Sequence, residues 1–203
     1  MSGSLASASR SRRMVFFLPL LAFLLSACGL NNIPSYEEQA KAQWSQVLNQ
    51  YQRRNDLIPN LVETVKGFAQ QERAVLEAVT NARAQATSIR VDASTITDPE
   101  AFRKFQEAQT QVSGALGRLL AITENYPNLK SDANFLALQS QLEGTENRIA
   151  VARRDYIEAV RVYNTELRTF PGRIWAFLLY SKNQPMAEFA IDESARRTPQ
   201  VKF

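Results

Sequence analysis

No histidine occurs in the 203 residues, and cysteine occurs once, at Cys28. The first absence excludes every Ser-His or Cys-His relay, every His-liganded zinc or iron site and every imidazole pH switch. The second excludes an internal disulfide and any cluster held by several thiolates. No Walker loop, GxGxxG run or metal-ligand spacing is present, so the sequence nominates no catalytic residue, no metal and no cofactor. Proline and glycine are also thin, with one of each between Ser35 and Ala86, which leaves room for long helices. A chain of this size fits one domain plus a processing segment.

What is present at the start is a block of charge followed by an apolar run. Arg10, Arg12 and Arg13 precede Met14 to Leu25, twelve residues without a charge, and the small residues Ser26 and Ala27 follow. This is the layout of a secretory signal, and twelve residues fall short of the roughly twenty that span a bilayer as a helix. The pI near 9.4 would suit nucleic acid, but it rests on those arginines. Without residues 1–27, 21 basic residues face 20 acidic ones, so no nucleic-acid partner is expected. Ser11-Arg12-Arg13 only brushes a twin-arginine signal.

Leu25-Ser26-Ala27-Cys28 resembles the bacterial lipobox. The resemblance implies that the Cys28 thiol accepts a diacylglyceryl group and that cleavage makes it the first mature residue. Two or three acyl chains then hold the chain on a membrane stably, where one would be marginal. Gly29 after the cysteine, in place of Asp, implies the periplasmic face of the outer membrane in a Gram-negative cell. The expected division is a lipoprotein signal peptide at 1–27, a lipidated linker at 28–34, a helical domain at 35–182 and an extended tail at 183–203.

The mature chain reads as all-α, an elongated antiparallel bundle of three long helices with coiled-coil-like seams plus a short C-terminal helix. Trp44, Tyr51, Ile58, Val65, Val79 and Ala86 fall on a seven-residue register, with Leu48, Val62, Ala69 and Leu76 four places later. The register passes through Pro59 in phase, so a continuous, kinked helix of about 78 Å is expected from Ser35 to Ala86. After a loop at 87–97, Asp98-Pro99-Glu100 opens a second helix carrying Phe102, Phe105, Val112, Leu116 and Leu119, which stops before Tyr126-Pro127. Ser131 is the expected cap of a third helix of about 57 Å. Its stripe is Phe135, Leu142, Ile149, Tyr156, Tyr163 and Phe170, and its period is that of core packing. Pro171-Gly172 ends that helix and turns the chain into Arg173–Tyr180.

Several blocks carry a family resemblance. Asp56-Leu57-Ile58-Pro59-Asn60-Leu61-Val62-Glu63, Tyr126-Pro127-Asn128-Leu129-Lys130, Glu146-Asn147-Arg148-Ile149-Ala150, Ala152-Arg153, Tyr163-Asn164, Phe170-Pro171 and the terminal Val201-Lys202-Phe203 resemble the LemA family, in order and over about 150 residues. The resemblance implies a helical domain held outside the cytoplasmic membrane by an N-terminal anchor. One branch of the family is linked to magnetosome membranes. Gln71 stands near a common His of the family, and Ile157 where Asn is common.

Asn60, Glu63, Glu146, Asn147, Arg148 and Arg154 form a candidate polar patch between helices, weighed against a plain role in fixing register. Trp175, Phe177 and Tyr180, flanked by Arg173 and Lys182, form a candidate membrane or partner patch, weighed against folding back to complete the core. The functional reading is a lipid-anchored cell-envelope scaffold or adaptor that is no enzyme. Its partners are the membrane through Cys28 and an unidentified envelope protein, with self-association left open. The alternative is an envelope sensing module that holds a small ligand or peptide between helices. A filled core with an exposed apolar patch would favour the scaffold; a pocket at the level of Glu63 and Arg148 would favour the sensor.

Overall fold

The computed structural model describes residues 29–189. The signal and lipobox readings, Cys28 included, and residues 190–203 lie outside that range. Among the described residues the chain is all-α: α1 (Asn32–Phe68), α2 (Arg73–Ser88), α3 (Pro99–Thr123), the single turn α4 (Pro127–Lys130), α5 (Ala133–Arg168) and α6 (Gly172–Leu178). A short 3₁₀ turn, Thr95–Thr97, lies between α2 and α3.

The expected first helix is two helices. It runs unbroken through Pro59, as the register requires, but stops at Phe68 and resumes at Arg73. Arg83 Nε donates to the Asn55 carbonyl at 2.8 Å. Twenty-eight residues of straight helix would separate those positions by about 42 Å, so α2 folds back along α1 as a hairpin. The break at Ala69–Glu72 coincides with the polar Glu72 in the stripe, and a heptad register alone does not distinguish a hairpin from a continuous rod. The second stripe in α1 is also one place earlier than expected. Val47 and Leu61 are fully buried while Leu48 and Val62 are only partly so, and the residue seven places from each is Arg54.

Pairings such as Trp44 with Tyr156 and Arg54 with Glu146 run α5 antiparallel to α1 along their length. α3 lies beside both, parallel to α1, with Phe102 against Trp44 and Phe105 against Tyr51. Asp98 caps α3 by accepting from the Glu100 and Ala101 N–H groups, as its position before Pro99 predicts. The cap of α5 is Asp132, which accepts from Phe135 N–H, and not Ser131, whose hydroxyl bonds back to α4 carbonyls.

Two hydrophobic cores are stacked along the bundle. One, around Trp44, Tyr51, Phe105, Ile149 and Tyr156, lies at the end where the described chain begins. The other, around Ile58, Val79, Val112, Phe135 and Leu142, lies under the α1–α2 hairpin. The first is closed by residues 183–189, which carry no helix and belong to the bundle: Met186 and Phe189 are buried in it. Of the α5 stripe, Phe135 to Tyr163 are buried, while Phe170 is 81 % exposed. The reason is that α5 ends at Arg168, so the helical period no longer aims the next stripe residue inward.

Candidate functional site

Three features stand out. Between the two cores sits a polar layer centred on Arg54, whose relative exposure is 1 %. Its position on the buried stripe of α1 sends the guanidinium across to α3 and α5. There it donates to Gln109 Oε1 at 2.6 Å, the Gln109 carbonyl at 3.2 Å, Ser113 Oγ at 2.8 Å and Glu146 Oε1 at 3.1 Å. Arg54 also lies 5.0 Å from the Tyr51 ring centroid. A planar fork with several donors suits this role, because one side chain ties three helices together. Burial pushes the Tyr51 hydroxyl pKa up, and nearby Arg153 and Arg54 pull against it.

The second feature is the strap at 183–189. Asn164 of α5 reads its main chain in both directions: Nδ2 donates to the Met186 carbonyl and Oδ1 accepts from Met186 N–H, each at 2.9 Å. Tyr163 OH donates to the Gln184 carbonyl and Tyr156 OH to the Ala187 carbonyl. Ala187 N–H donates to the Ile96 carbonyl at 2.7 Å. Phe189 then fills an aromatic nest of Trp44, Phe102 and Tyr156, with Arg153 stacked over it at 4.4 Å. Burial raises the Tyr156 pKa well above the ordinary value, with Glu188 adding to it.

The six residues of the expected polar patch are not brought to one place. Asn60 is exposed, and Glu63 pairs with Lys66 on an open groove of about 560 Å³ between α1 and α2. Glu146 and Asn147 line a different groove, between α3 and α5. Arg148 bonds Gln50 and Thr145 on the α1–α5 side, where Asn147 also reaches, and Arg154 pairs at the surface with its neighbour Asp155. Only Glu146 joins the buried layer. Sequence reading missed Arg54, Gln109 and Arg83. The available signal was Arg54's place seven residues after Val47 and seven before Leu61. Among the described residues no group of acidic or thiol side chains is placed to hold a metal.

The third feature is the end of the bundle. Trp175 and Tyr180 of the expected patch pack against the first core, and Tyr180 OH donates to the Leu30 carbonyl at 3.1 Å. Phe177 instead projects outward, 81 % exposed, together with Phe170, Ile174, Leu178 and Leu179. Gly172 allows this helix to start close under α5, since a Cβ there would collide with the Glu166 carbonyl.

A sequence model of the LemA family matches residues 43–203. The chain belongs to the LemA family. It is similar to the magnetosome proteins MamQ 1 and MamQ 2 of Paramagnetospirillum magneticum, each 25 % identical over 92 % of this chain and 74 % of theirs. MamQ of Magnetospirillum gryphiswaldense is 24 % identical, over 90 % of this chain and 72 % of its own. The LemA blocks have clear structural roles here. Tyr163-Asn164 grips the strap. Tyr126 before α4 ties the far end to the hairpin turn, donating to Glu72 at 2.8 Å and accepting from Gln71 at 2.9 Å. Gln71, at the position near a common His, therefore serves the turn.

Proposed function

We propose that this LemA-family protein is a lipid-anchored helical scaffold of the cell envelope, working by contact with membrane or protein and without catalysis. The observation that carries the reading is the exposed apolar end of the bundle, Phe170 with Ile174, Phe177, Leu178 and Leu179, beside a core of buried side chains. Contiguous apolar surface on a folded domain marks an interaction site. The groove at Glu63 is an open surface cleft whose lining does not include Arg148, which weakens the ligand-sensing alternative. Membrane attachment is supported by the lipobox-like Leu25-Ser26-Ala27-Cys28 and by similarity to magnetosome proteins. No helix among the described residues is long and apolar enough to cross a membrane.

The test is Cys28→Ser in cells fed a labelled fatty acid. The lipoprotein reading expects an unprocessed precursor without label. Normal processing of that variant would refute it. Fractionating the wild type then places it on the outer or inner membrane, and in-cell crosslinking identifies what the scaffold touches.

A further inference from the structure

α6 is apolar on both faces but buried on one. Gly172, Trp175 and Ala176, spaced i, i+3, i+4, face the bundle, whereas Ile174, Phe177 and Leu178, with the same spacing, face away. Arg173 apart, α6 carries no polar side chain, so its outer face is apolar surface left to water. Phe170, before the helix, and Leu179, after it, extend the outer face. From Leu167 to Ala187 there is no acidic residue, while Arg168, Arg173 and Lys182 are all present and exposed.

What covers that face follows from where the first described residue is held. A Cβ on Gly29 would lie 3.4 Å from Pro171 Cγ and 3.8 Å from Trp175 Nε1, and the Leu30 carbonyl accepts from Tyr180. The first described residue is thus stitched to the base of α6. Cys28 is the next residue, one Cα step of about 3.8 Å away. The last residue of the apolar run, Leu25, is four residues from Gly29, at most about 14 Å of extended chain. A lipid on Cys28, or the apolar run itself, would therefore enter the bilayer within about 14 Å of chain from the base of this helix.

We propose that the outer face of α6, with Phe170 and Leu179, is a membrane-seating foot. It inserts into the interfacial layer of the bilayer that holds the N-terminus, with Arg168, Arg173 and Lys182 set among anionic headgroups. Seven residues of helix lying in the interface need not span anything. This rests on the tethered reading above, and it adds an orientation: the α6 end faces lipid and the α1–α2 turn points away.

The experiment uses the full-length lipidated chain in phosphatidylglycerol-containing vesicles with brominated acyl chains. Leu178→Trp is the reporter and Gln70→Trp, at the opposite end, the control, each read as the difference from the unsubstituted chain. The foot predicts that the reporter indole on α6 emits at shorter wavelength and is quenched by brominated chains, while the control indole at the hairpin turn is not quenched. Adding Phe177→Asp should abolish the quenching without lowering Tm, because Phe177 is solvent-exposed on the bundle. A chain that floats with the vesicles while the reporter stays unquenched overturns the foot and leaves the tether standing. Emission that tracks protein density in place of bromine assigns the face to a second copy and also overturns it. A chain that fails to float refutes the tether, and the foot with it.

Discussion

Arg54 is a charge that α1 places where its stripe calls for a leucine, and its energetics are set by what it leaves behind if removed. Buried ion pairs add little net stability relative to a well-packed apolar replacement, but deleting one partner strands the others. Arg54→Ala would leave the Gln109 side-chain oxygen without its donor and Glu146 without its counter-charge, beside a cavity, while the Gln109 carbonyl keeps the Ser113 hydroxyl. We expect it to cost about 3–5 kcal/mol. Glu146 is 40 % exposed on its side chain, so Glu146→Gln, which keeps an acceptor, should cost about 1 kcal/mol or less. Urea denaturation of both variants checks this, and comparable losses would mean that Arg54 acts mainly through Glu146. The layer's position between the two cores also gives it a structural use. A single stripe position whose guanidinium bonds α3 and α5 favours one register of α1 against them, which a uniform apolar seam specifies less sharply.

At the scale of elements, the strap shows what a periodic pattern conveys and what it does not. Val112, Leu119, Ile149 and Tyr156 announced their faces because a helix repeats its environment every seven residues. Residues 183–189 have no such repeat, so nothing in Gln184-Pro185-Met186 announced that Asn164, on α5, would bind their backbone. The α1–α2 break was illegible for a related reason: α2 lies back on α1 with the same apolar stripe it would carry as a continuation. The candidate site was the least legible, since Glu63 and Arg148 are surface residues and Glu146 is half-buried, and their grouping depends on which grooves the helices form. The strap's energetics are testable. Asn164→Ala removes both hydrogen bonds to Met186 and should cost about 1–3 kcal/mol. Phe189→Ala empties the nest of Trp44, Phe102 and Tyr156 and should cost about 3–5 kcal/mol. Hydrogen exchange should show both variants loosening residues 95–97 and 156–164 before the hairpin. If the protein is as stable with both changes as without them, the strap only rests on the surface.

Across the whole molecule the two cores are chemically unlike. Three buried tyrosines, Tyr51, Tyr156 and Tyr163, all belong to the core at the N-terminal end, and burial raises the pKa of each. Tyr126, at the other end, is raised too, chiefly by its hydrogen bond to the Glu72 carboxylate, but it is only partly buried. Because there is no histidine, stability should be nearly flat between about pH 6 and 8. Above about pH 10 the unfolded chain releases its phenolic protons, while the folded chain still holds those of the buried three. The unfolded state then binds fewer protons, and the linkage relation makes stability fall as pH rises. Tyr156 and Tyr163 also donate those protons to the strap, so ionising them breaks the bonds to Ala187 and Gln184. Alkaline unfolding should therefore begin with release of residues 183–189 and exposure of Trp44, with the hairpin end persisting longer. Trp fluorescence and tyrosinate absorbance followed together through an alkaline titration test the order. Hairpin amides exchanging before the strap ones, or a Tm unchanged well above pH 10, would show that the buried tyrosines do not govern the alkaline limit.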